Sequence, residues 1–82
     1  MIRYHALVDG ERGDYGVSFP DIDGVVAMGA TTDEALLNAE NAISDYLVEM
    51  EKSGAETASP SLAEEIEIPA GSVLVLIPRA HL

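Results

Sequence analysis

Tyr15-Gly16-Val17-Ser18-Phe19-Pro20-Asp21-Ile22-Asp23-Gly24 is the stretch that decides the fold. Tyr15, Val17 and Phe19 alternate with Gly16 and Ser18, the period of two that gives a strand one apolar face. Pro20 brings no N–H to a sheet and ends the strand. Asp21, Asp23 and Gly24 supply the chemistry of a tight turn. Residues 25–28 then read as another strand, closed by Gly29. Upstream, Ile2, Tyr4, Ala6 and Val8 share one face of a strand over residues 2–8. The polar, glycine-containing residues 9–14 join it to Tyr15 as a hairpin loop. Three strands in this order make an antiparallel meander.

Beyond Gly29, Thr31 or Thr32 can cap a helix, and Thr31 with Glu34 has capping-box spacing. Asp33 and Glu34 complement the positive end of the helix dipole. The helix is expected to run to Ser53 and stop at Gly54. Ala35, Leu36, Ala39, Ala42, Ile43, Tyr46, Leu47 and Met50 fall on one stripe at 100° per residue, with small alanines at its centre. Residues 55–61 form a loop, and residues 62–66 have room for a single helical turn. Residues 73–77, apolar throughout, give a last strand ended by Pro78. Such a run suggests burial on both faces, and a strand after a helix is expected to be parallel to its neighbour through a right-handed crossover. The expected fold is therefore α/β (α+β), in the order β-β-β-α-β, with one helix on one face of the sheet.

The run 15–24, followed by Gly29, Thr31, Glu34-Ala35, Asn38-Ala39 and Ala42, resembles the N-terminal domain of HicB-type antitoxins. The resemblance extends over residues 2–77. Asp23 stands where the family usually has proline, and Val25 where it often has cysteine. The resemblance implies a partial ribonuclease-H-like fold and a partner: a small basic HicA-like ribonuclease toxin that cleaves mRNA and that the antitoxin silences by masking its active surface. Many members carry a DNA-binding segment after this domain. Residues 1–82 read as a single HicB-like domain without one, so direct nucleic-acid binding is not expected of this chain.

Charge agrees with a protein partner. Fifteen acidic residues against four basic ones, Arg3, Arg12, Lys52 and Arg79, leave a net charge of −11. That balance repels phosphate backbones and favours a basic protein. With 48% apolar residues the chain can nonetheless build a core. It has no cysteine, hence neither disulfide nor thiolate metal site, and no apolar run long enough to span a membrane. A cytoplasmic protein is expected, without cofactor.

The residues that carry chemistry elsewhere have plainer readings here. A two-metal nuclease needs converging carboxylates, one of them in the middle of a strand. Asp14, Asp21 and Asp23 fall instead in turns, where Asp bonds the local backbone. His5 and His81 are far apart, and no Ser/His/Asp arrangement surrounds Ser18. No catalytic or metal residue is expected. The alternatives to an antitoxin are a minimal metal-dependent nuclease of ribonuclease-H type and a stand-alone oligomeric regulator without a toxin. For partner binding the sequence offers Tyr15 and the helix face opposite the core stripe: Leu37, Asn41, Ser44 and Val48, flanked by Glu40, Asp45 and Glu51. For self-association as a dimer or larger it offers the apolar run Val73, Leu74, Val75, Leu76 and Ile77, with Arg79 at its rim.

Overall fold

The computed structural model describes residues 3–78; Ile2, Arg79 and His81 lie outside them. Strands β1 (Arg3–Glu11), β2 (Asp14–Phe19) and β3 (Ile22–Gly29) are followed by helix α1 (Thr32–Ser53), a 3₁₀ turn (Ala63–Glu65) and strand β4 (Val73–Pro78). They form one sheet in the order β3-β2-β1-β4, with every neighbouring pair antiparallel. The β-β-β-α-β order and the meander are as the sequence indicates.

The direction of β4 is not. It is antiparallel to β1, with Val8 opposite Val73 and Tyr4 opposite Ile77. A parallel strand would follow if the helix alone crossed the sheet. Here residues 54–72 run back along it before β4 begins. Tyr4 and His5, neighbours in β1, show the route, because adjacent strand residues point to opposite faces. The Tyr4 hydroxyl donates to the Ala58 carbonyl on the helix side. The His5 Nδ1 lies 3.1 Å from the Ser61 carbonyl on the other side. Between residues 58 and 61 the chain therefore rounds the end of the sheet.

The turn after β2 also differs. Phe19 pairs with Ile22 across Pro20 and Asp21, whereas Ser18 pairs with Val26. The tight turn is thus at Pro20-Asp21, and Asp23, Gly24 and Val25 bulge from β3. Burial of Ile22 at 4% exposure gives the physical reason: its side chain joins the core and brings the strand start forward.

Helix α1 begins where the capping residues lie. Thr31 Oγ1 accepts from the Glu34 N–H at 3.0 Å, and Glu34 Oε1 accepts from the Ala30 N–H at 2.9 Å. Gly54, at φ 75°, ends the helix in the left-handed conformation that glycine adopts without strain. Ala35, Ala39, Ile43 and Leu47 lie buried against Tyr4, Ala6, Val8, Val17, Phe19, Ile22, Ala27 and Ile77. Gly29 lets the helix come this close: a Cβ there would lie 2.5 Å from the Ala35 backbone nitrogen. Asn38 Nδ2 donates to the Met28 carbonyl at 2.8 Å and ties the helix to edge strand β3.

Two-sided burial of β4 does not occur within the described residues. Ile77 is buried, but Val73 is 62% and Leu76 46% exposed. The strand is at the sheet edge, and the helix covers one face of the sheet.

Candidate functional site

With α1 on one side, the other side of the sheet carries side chains that no helix covers. Strand register arranges them in rows. Asp9 of β1 faces Gly16 of β2, which faces Met28 of β3; one step along, Leu7 faces Ser18, which faces Val26. On the outer side of β1, Leu74 and Leu76 pair with Leu7 and His5. Val26 and Met28 are 66% and 64% exposed. Because Gly16 and Ser18 are small and their neighbours large, β2 forms the floor of a shallow trough of about 260 Å³, lined by Asp9, Gly16, Ser18, Val26 and Met28. The Asp9 carboxylate leans over the floor, with Oδ1 3.2 Å from where a Gly16 Cβ would be. Exposed apolar side chains grouped in this way mark interaction surfaces more often than isolated ones do.

A second polar group lies at the end of the sheet. Asp21 accepts from the Ser61 N–H at 2.8 Å and from the Ser61 hydroxyl, while His5 bonds the same residue's carbonyl. These side chains fasten the crossing of residues 58–61, which is a structural task. Among the described residues no group of three or more His, Cys, Asp and Glu is placed to hold a metal ion.

The residues singled out from the sequence do not form one site. Tyr15 is half-buried and packs against the core from β2. On α1, Leu37, Asn41 and Asp45 form an exposed line at four-residue spacing, and Glu51 is exposed. Ser44 does not belong to that face: it is buried, at 2% exposure. Glu40 and Val48, one turn to either side of it, are half-buried. The buried part of the helix thus reaches beyond the apolar stripe to this flank, which the hydrophobic pattern does not reveal because its residues are polar or isolated. The run Val73, Leu74, Val75, Leu76 and Ile77 occupies a sheet edge. The trough was missed as a surface. Its signal was the alternation that sets Val26 and Met28 opposite Val25 and Ala27, in a sheet with a single helix to cover it.

Comparison with known proteins agrees with this architecture. The family model described as HicB_like antitoxin of bacterial toxin-antitoxin system matches residues 4–76. The crystal structure of the Burkholderia pseudomallei antitoxin HicB is 32% identical, with a TM-score of 0.82 over 95% of this chain. This chain spans 63% of that antitoxin's length. The N-terminal domain of Burkholderia pseudomallei HicB, solved separately, is 30% identical with a TM-score of 0.79, covering 99% of this chain and all of that one. A HicA3 and HicB3 toxin-antitoxin complex contains a chain of the same fold, 24% identical with a TM-score of 0.74, covering 94% of this chain and 96% of that one. No curated protein matches the sequence significantly. A family match over residues 4–76, on a fold shared with the Burkholderia HicB domain, makes this chain a member of the HicB-like antitoxin family.

Proposed function

We propose that this chain is the toxin-binding domain of an antitoxin, and that it silences a basic HicA-like mRNA-cleaving ribonuclease by covering its active surface. The observation that carries this reading is the exposed apolar surface of β3, Val26 and Met28, on the side of the sheet away from α1, on a chain of net charge −11. Apolar surface supplies the driving force for association, and the charge selects a basic partner. The acidic, exposed part of helix α1 at Leu37, Asn41, Asp45 and Glu51 offers a further contact surface, and the charge can in part imitate RNA. Acting on a ribonuclease of the cell's mRNA, the protein works in the cytoplasm and itself catalyses nothing. The partial ribonuclease-H-like fold that the family resemblance implies then serves as a scaffold. Edge strand β4 supports pairing with a second copy, which satisfies its free backbone groups.

Co-expression with a HicA-like protein, sought first in the gene next to this chain's own, tests the proposal. The two are expected to elute together in size-exclusion chromatography at physiological salt. Separate elution, with both proteins folded, contradicts it.

A further inference from the structure

We infer that the trough over Gly16 is the seat of a cationic anchor side chain, arginine in preference to lysine, that the basic toxin presents from an apolar surface. The inference rests on the antitoxin reading and assigns its contact. Three features define the occupant. The floor is open because Gly16 lacks a side chain, and the walls, Val26 and Met28, are apolar and 66% and 64% exposed. That is the shape and surface a long aliphatic stem covers. At one end stands Asp9, with no hydrogen-bond or ion-pair partner among the described residues. A planar guanidinium meets a carboxylate with two parallel hydrogen bonds, which an ammonium cannot do. A second copy of this chain is assigned to the edge of β4, at the opposite side of the sheet from the β3 wall that Val26 and Met28 form. A basic partner gains from the field of the net charge of −11.

Gly16→Val separates this role from a structural one. Gly16 does not have the positive φ that favours glycine, and among the described residues beyond its chain neighbours the one atom within 4 Å of a new Cβ is the Asp9 carboxylate oxygen at 3.2 Å, on a side chain that can move aside. A β-branched residue suits a strand. The variant is therefore expected to melt at or above the wild-type temperature while binding the HicA-like toxin at least tenfold more weakly in calorimetric titration. Asp9→Asn is expected to weaken binding about tenfold, and Glu56→Gln, which removes the same charge from an exposed position beyond helix α1, to change it less than threefold. In a scan replacing each toxin arginine by lysine, one variant is expected to lose affinity for wild type and to lose little more for Asp9→Asn. Unchanged affinity of both Gly16→Val and Asp9→Asn, with wild type binding, overturns the anchor and leaves the antitoxin reading standing. Failure of wild type to bind the toxin overturns both. Loss of affinity without any arginine coupled to Asp9 overturns the cationic anchor and keeps the trough as an apolar contact only.

Discussion

Asp21 belongs to the Phe-Pro-Asp turn that most marks the family resemblance, and its carboxylate fastens Ser61, forty residues away. Gly29 admits the helix, Thr31 and Glu34 cap it, Asn38 ties it to β3, and Ala35 and Ala39 are fully buried. Most of the residues by which the family is recognised therefore hold the fold together; Gly16 and Ser18, on the floor of the trough, are the ones proposed to face the partner. Local pairs such as Thr31 with Glu34 were legible because their spacing is itself the signal. The Asp21–Ser61 contact was not, since nothing in a turn's composition names a partner so distant in sequence. Asp21→Ala removes two hydrogen bonds to a carboxylate at a partly buried site. The expected cost is about 2 kcal/mol, or roughly 10 °C in melting temperature for a domain of this size. Thermal denaturation by circular dichroism checks it; a melting temperature within about 2 °C of wild type would show that the crossing is held by other contacts.

At the scale of elements, the meander and the helix were readable because their hydrophobic periods are regular and their ends carry proline, threonine and glycine. The direction of β4 was not, because residues 54–72 have no period and their path depends on Tyr4, His5 and Asp21. The uniformly apolar β4 suggested burial on both faces; the structure gives it an edge with Val73 and Leu76 exposed. Such an edge invites pairing. The proposed self-association through β4 predicts a dimer or larger species at tens of micromolar in sedimentation equilibrium. Leu76→Lys is the suitable variant, because Leu76 is 46% exposed whereas Val75 packs against the core. It is expected to give folded monomers. A monomeric wild type would mean that the edge is left open or is covered by the chain itself.

For the whole molecule, charge and fold act together. Fifteen acids against four bases set up a long-range field, which salt screens to about 8 Å at physiological ionic strength. The rate of association with the basic toxin is therefore expected to fall roughly tenfold or more between about 20 and 300 mM salt, while the dissociation rate, set by the apolar contact, changes less. Stopped-flow measurement separates the two; a salt-independent association rate would remove steering from the account. The most direct test of the central claim is RNA cleavage by the HicA-like toxin that this chain is proposed to bind, titrated with this chain. The account predicts that cleavage declines linearly and stops near stoichiometric amounts, and that Gly16→Val shifts the endpoint to higher concentrations. Cleavage that continues unchanged in excess of the folded chain would contradict it.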